Sequence, residues 1–242
     1  MANKKVTIRT VWPDALQLAK AVAQLIVIES NKAVEQKGIF TMALSGGSTP
    51  KLLFQLLAQP PYKRNIPWKH VMVAFGDERF VAPTHEDSNY KMAMDSLLRH
   101  VPIPKKNILA VPILKHSPAE AASSYETQIK NYISAKCPFD LVLLGMGEDG
   151  HTASIFPKGD LITETKRWIA AVWVPEKNMD RISFTFPLIA RAKNVAFLVT
   201  GSAKAPIIKK IFSGRGAAYP AANITAAENL FWFVDEAANG SA

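Results

Sequence analysis

Four times along this 242-residue chain, a short apolar run ends in a polar turn that carries glycine. Ile39–Leu44 leads into Ser45-Gly46-Gly47, and Val71–Phe75 into Gly76-Asp77-Glu78-Arg79. Leu141–Leu144 leads into the stretch from Gly145 to His151, and Val195–Thr200 into Gly201-Ser202-Ala203-Lys204. Apolar runs of this length bounded by turn residues read as buried strands. Strands alternating with helices predict an α/β chain with a mostly parallel sheet, covered by helices on both faces. In such sheets ligands lie beyond the carboxyl ends of the strands. The four turns are therefore expected to meet at one rim and form one site.

The remaining elements follow from periodicity. Val6–Thr10 reads as a strand. Pro13–Gln36 reads as a helix with Pro13 near its first turn and Gly38 just past its end. Helices are expected from about Pro50 to Ala58, over Ser88–Arg99 and Pro118–Ala135, and from about Ala203 to Phe212. Short strands are expected at Ile108–Val111, Ile169–Val174, Ile182–Phe186 and Leu230–Val234, with a long polar loop after Arg79. No linker or internal repeat interrupts the chain, so residues 1–242 are read as a single domain.

Composition narrows the function. Leu16–Ile28, the most apolar helical stretch, is broken by Lys20 and Gln24 and is too short to span a bilayer, so no membrane role is expected. Met1–Trp12 lacks the apolar core of a secretory signal. The single cysteine, Cys137, excludes an internal disulfide framework, fits a reducing cytoplasm, and reads as a packed residue beside Pro138. A net charge of +9 suits anionic partners. Its cations, however, come as scattered pairs such as Lys63-Arg64 and Lys105-Lys106 with no aromatic interleaving, so no nucleic-acid role is expected. A small phosphorylated molecule needs only two or three of them, and the chain is expected to act as a monomer.

Each turn has a chemistry. In Ser45-Gly46-Gly47-Ser48-Thr49-Pro50, glycines and a following helix can point several N–H groups at a phosphate, with three hydroxyls adding donors. A tight turn capped by Ser48 or Thr49 is the plainer reading. The P-loop lysine is missing, which argues against a nucleoside triphosphate. Gly145, Gly147 and Gly150 spell the dinucleotide-binding pattern, but Asp149 would repel a pyrophosphate, and Pro157 comes too soon for a crossover helix. His151 can exchange a proton near neutral pH, and Asp149 is close enough to orient it. His85 with Glu86 and Asp87 is a weak metal candidate, and no metal site is expected. Arg79, Arg181 and Lys204 are cations that could converge on one anion.

SGGSTP, FGDERFV with DSNY after it, GMGEDGHTASIFP, RISFTFP and VTGSAKA, in this order, resemble the 6-phosphogluconolactonases. The matching segments run from about Ile39 to Lys204. The resemblance implies a Rossmann-like α/β fold, hydrolysis of a sugar-phosphate lactone and no cofactor. It implies that His151 is the general base and that the phosphate lies among Ser45–Thr49, Arg181 and Lys204. Asp77 and Arg79 would then line the sugar or lactone end. Glucosamine-6-phosphate deaminases share several of these motifs but carry a glutamate five residues past the histidine and a tyrosine after Asp-Glu. Here those positions are Phe156 and Arg79, which favours a lactonase. For that chemistry Asp149 or Asp77 is expected to hold the imidazole, and Arg79 or N–H groups of the glycine loop around Gly147 to face the oxyanion.

Overall fold

The computed structural model of the protein describes residues 6–113, 117–134 and 137–241. Ten strands and eight α-helical segments follow one another along these residues. They are β1 (Val6–Trp12), α1 (Ala15–Lys37), β2 (Phe40–Leu44), α2 (Ser48–Leu57), α3 (Tyr62–Asn65), β3 (Val71–Phe75), β4 (Asp77–Arg79), α4 (Asn89–Ala93), β5 (Ile108–Leu109), α5 (Pro118–Tyr132), β6 (Leu141–Leu144), β7 (Ile169–Val174), β8 (Met179–Phe184), α6 (Phe186–Ile189), β9 (Asn194–Val199), α7 (Ala205–Phe212), β10 (Asn229–Asp235) and α8 (Glu236–Asn239).

Seven strands form a wholly parallel sheet in the order β1-β10-β9-β6-β2-β3-β5. Strands β2, β3, β6 and β9 are buried along their full length, which is why they read as unbroken apolar runs rather than alternating ones. The chain builds outward from β2 through β3 to β5, then returns to the other side of β2 and builds outward again through β6, β9 and β10. The order therefore reverses between β2 and β6, and a crevice opens beyond their carboxyl ends. Across it the Gly145 N–H donates to Ser45 Oγ at 3.2 Å.

Helix α1 covers one face with Leu18, Ala19, Val22, Ala23 and Ile26, all fully buried at helical spacing. Asp14 caps it, accepting from the Gln17 N–H at 2.8 Å, a bond of about 1 kcal/mol. Pro13 thus stands before the cap rather than in the first turn. At the other end Gly38 adopts a left-handed φ of 79° that closes the helix.

Two expectations need correction. The charged run after Gly76 is not a loop: Asp77–Arg79 is a strand, β4, pairing antiparallel with β8. Strands β7 and β8 likewise leave the main sheet and form with β4 a separate antiparallel sheet. Gly76 is the hinge between the two, donating to Leu44 O and accepting from the Phe184 N–H, each at 2.8 Å. Helix α5 ties the sheets together. Its Tyr125 hydroxyl accepts from the Phe75 N–H at 2.7 Å, while its Glu126 accepts from the Trp168 and Ile169 amides of the second sheet. The small sheet is thereby held over the reversal point.

The helix expected over Ser88–Arg99 is α4 continuing as a π-helical segment, Met94–Leu98. The strand at Ile108 is only two residues long, and α5 ends at Tyr132, with Ala135 outside the described residues. Cys137 is half-buried, its thiol pKa pushed up by burial, in keeping with a packing role.

Candidate active site

The four turns meet. A cavity of about 330 Å³ at the reversal point is lined by Ser45 to Pro50 from the turn after β2, and by Gly145, Gly147 and His151 from the turn after β6. Asp77 and Arg79 enter from β4, Arg181 from β8, and Lys204 from the turn after β9. Every residue assigned to the site by the resemblance or the mechanism except Asp149 lines this space, and Asp149 is bonded to one that does, whereas His85, Glu86, Asp87 and Cys137 lie outside it.

Helix α2 starts at Ser48, two residues earlier than the sequence suggested, with Gly47 before it at φ 103°, a conformation that disfavours side chains. No side chain caps this end, so Ser48 and Thr49 are not capping residues. Their amides belong to the first turn, where no intrahelical acceptor exists, and they open on the cavity with the positive end of the helix. Thr49 Oγ1 pairs with Thr200 Oγ1 at 2.7 Å, joining this turn to the end of β9. Gly46 is fixed by Asn89: a Cβ there would sit 2.1 Å from Asn89 Oδ1.

The turn after β6 is built differently. His151 Nδ1 lies 2.6 Å from Asp149 Oδ1, and the same oxygen accepts the His151 backbone N–H at 3.1 Å. The carboxylate thus selects the tautomer with the proton on Nδ1 and leaves Nε2 as an acceptor. Burial pushes the Asp149 carboxyl up, yet the His151 ring and amide outweigh it and hold it below its ordinary value. Phe156 packs against the imidazole with ring centroids 4.3 Å apart and planes tilted by 30°, supporting it from the other side. Gly147 leaves room for the pair, since a Cβ there would lie 2.1 Å from His151 Nδ1 and 2.5 Å from Asp149 Oδ1.

This geometry revises the part expected of the glycine amides. Gly145 donates to Ser45 Oγ, Gly147 to His151 O at 2.9 Å and Gly150 to Gly147 O at 3.1 Å. All three glycine N–H groups are occupied inside the protein, and the turn's missing side chain at Gly147 makes room for the histidine and its carboxylate.

Asp77, the other carboxylate expected to orient His151, is directed elsewhere. It accepts from Ser154 Oγ at 2.8 Å and from Asn89 Nδ2 at 3.3 Å, and lies 3.8 Å from Arg181. Ser154 is fully buried in this contact. Arg79 and Arg181 stand directly opposite each other across the β4–β8 pair. Like charges so placed repel. Both Nε atoms are buried without a hydrogen-bond partner among the described residues. Burial also pulls the Arg181 guanidinium below its ordinary value, with Arg79 adding to the effect and Asp77 opposing it. Two forks of donors on facing strands, Arg181 beside the Asp77 carboxylate and Arg79 donating to Asp87 O, make a site that an added anion would complete. Lys204 contributes a third cation, only loosely paired with Glu148 at 3.9 Å.

Glu78, which the sequence did not single out, anchors this wall. It is buried and accepts from the Arg79, Asn89 and Tyr90 amides at 2.7–2.8 Å, while burial raises its pKa. Asn89, Phe156, Thr200 and Lys177 also line the cavity and were not assigned roles from the sequence. The DSNY, SIFP and VTGSAKA motifs contained the first three. Among the described residues no group of three His, Cys, Asp or Glu side chains is arranged to hold a metal, and His85 meets only Asp87.

The chain belongs to the glucosamine-6-phosphate isomerase/6-phosphogluconolactonase family, whose model matches residues 13–232. It is 41% identical over 235 residues to the 6-phosphogluconolactonase of Nostoc sp., covering 94% of this chain and 95% of that protein. It is 39% identical to the chloroplastic 6-phosphogluconolactonase 3 of Arabidopsis thaliana, covering 93% of this chain and 70% of that one. Among solved structures, the 6-phosphogluconolactonase from Thermotoga maritima superposes with a TM-score of 0.83 at 27% identity, covering 95% of this chain and all of the other.

Proposed function

We propose that this member of the family hydrolyses 6-phospho-D-glucono-1,5-lactone to 6-phospho-D-gluconate, using a water activated by His151. The observation that carries the reading is the 2.6 Å His151–Asp149 pair opening on a cavity walled by Arg79, Arg181 and Lys204. Its relatives named 6-phosphogluconolactonase support the same activity.

The phosphate lies against the amides and hydroxyls of Ser45–Thr49, with Arg181 and Lys204 balancing its charge. Anchoring that remote group holds C1 near His151 and removes much of the entropic cost of the encounter. Neutral His151 takes a proton at Nε2 from a water as its oxygen attacks C1, while Asp149 stabilises the imidazolium. Arg79 faces the oxyanion, because the glycine amides are occupied. Collapse breaks the bond from C1 to the ring oxygen, which receives the proton back from Nε2. The carboxylic acid then ionises, so one proton is released per turnover. Neither Ser45, which accepts from Gly145, nor buried Ser154 is placed as a nucleophile.

A deaminase reading needs a carboxylate where Phe156 packs against His151. The test is proton release from freshly prepared 6-phosphogluconolactone, corrected for spontaneous hydrolysis, beside ammonia release from glucosamine 6-phosphate. Enzyme-dependent proton release without ammonia is expected, and the opposite pattern rejects the proposal.

A further inference from the structure

The chain's positive charge is not centred on the cavity described above. Segments 36–76 and 96–119 together hold nine Lys and Arg residues and no Asp or Glu, matching the whole net charge of +9. Much of this charge gathers at the opposite rim, where β3 and β5 begin. A cleft of about 700 Å³, twice the candidate active site, lies there, lined by Lys63, Arg64, Lys69, His70 and His100 with no acidic side chain. Lys105 and Lys106 sit beside it, because the neighbouring Asn107 donates to Lys69 O and Val71 O at 3.5 and 3.0 Å. Among the described residues none of Lys63, Arg64, Lys69, Lys105 and Lys106 is in an ion pair.

Unpaired cations sharing a concave surface repel one another, and a multiply charged anion relieves that repulsion. The walls decide what kind. Trp68 is only 2% exposed, its Nε1 held by Lys63 O at 3.1 Å, so it offers no open face on which a base could stack. Pro60, Pro67 and Pro102 supply stiff apolar sides. Recognition must therefore come from phosphate charge alone.

We propose that this cleft is a second anion site, separate from the catalytic rim, that takes a compact polyphosphate, whether free or as the tail of a nucleotide. Calorimetric titration of the full chain with sodium tripolyphosphate at low salt tests it. Binding is expected to persist in the Arg181→Ala/Lys204→Ala variant. It is expected to weaken by about a hundredfold or more in Lys63→Ala/Arg64→Ala/Lys69→Ala, since each lost charge-assisted bond is worth roughly tenfold. Lactone turnover in the triple variant should match the wild type. Adenosine should not bind; ATP binding as well as tripolyphosphate marks a site that reads the tail of a nucleotide, and tripolyphosphate binding clearly better marks a free polyphosphate. Should the triple variant fold poorly, Lys69→Glu alone should still weaken binding, and Lys63→Arg/Lys69→Arg should restore it. Unchanged titration in the triple variant, loss of all binding in the catalytic-rim variant, or binding of ATP but not tripolyphosphate would each overturn the proposal.

Discussion

The turns after β2 and β6 face each other across the same crevice, are both rich in glycine, and do opposite things with it. In Ser45–Thr49 the glycines free the backbone: Gly47 takes a left-handed φ of 103° and α2 starts with amides that have no internal acceptor. In Gly145–His151 every glycine N–H has a partner within the protein, Gly145 reaching across to Ser45. There the missing side chain matters instead, because Gly147 leaves the space that Asp149 and His151 fill. In the proposed mechanism one turn receives the anion and the other mounts the base. Glycine content alone does not distinguish them; where the N–H groups go does.

The sharpest way to break this division is His151→Ala. Turnover should fall by about two to four orders of magnitude with affinity for 6-phosphogluconate nearly intact, read from steady-state rates beside product titration. Normal turnover would remove the base from its mount. Asp149→Asn should come next, at about a hundredfold or more in kcat, because the amide no longer selects the Nδ1-protonated ring. Gly147→Ala should act on the same turn by crowding, lowering kcat and costing about 1–3 kcal/mol in a denaturant melt. By contrast Lys204→Ala and Arg181→Ala should leave kcat largely alone and raise KM by about 1.5–3 kcal/mol each, as expected for lost charge-assisted bonds. Unchanged KM in both would move the phosphate elsewhere.

The smallest effect concerns acid stability. Asp149 has a folded pKa below its ordinary value, so its contribution is present above that ordinary value and is lost as pH falls through the lowered one. Asp149→Asn should therefore lower the melting temperature modestly at neutral pH and flatten its fall below about pH 4, so that the two proteins converge in acid.

Much of this was legible in the chain because the main sheet is buried on both faces. Leu141–Leu144 and Val71–Phe75 appear in the structure with the bounds read from sequence, since a strand buried on both sides leaves a continuous apolar run. The second sheet was not legible as a sheet. Asp77-Glu78-Arg79 has neither apolar alternation nor length, and becomes a strand only through pairing with residues about a hundred positions away. That pairing sets Arg79 against Arg181, so the strongest electrostatic feature of the cavity was visible only as two isolated cations. The same holds for the dyad: the spacing of Asp149 and His151 was plain, but the choice between Asp149 and Asp77 depended on Ser154 and Arg181, which engage Asp77 across the fold. Phe156 was noted for the carboxylate it replaces, whereas its packing against the imidazole is a three-dimensional fact.

The division of labour between the two turns is tested most directly by a crystal structure with 6-phosphogluconate bound. The account predicts the phosphate on the Ser45–Thr49 turn with Lys204 and Arg181, and the C1 carboxylate within a hydrogen bond or one bridging water of His151 Nε2. A phosphate seated on the Gly145–Gly150 turn, or a sugar reversed so that C1 lies against α2, would contradict it.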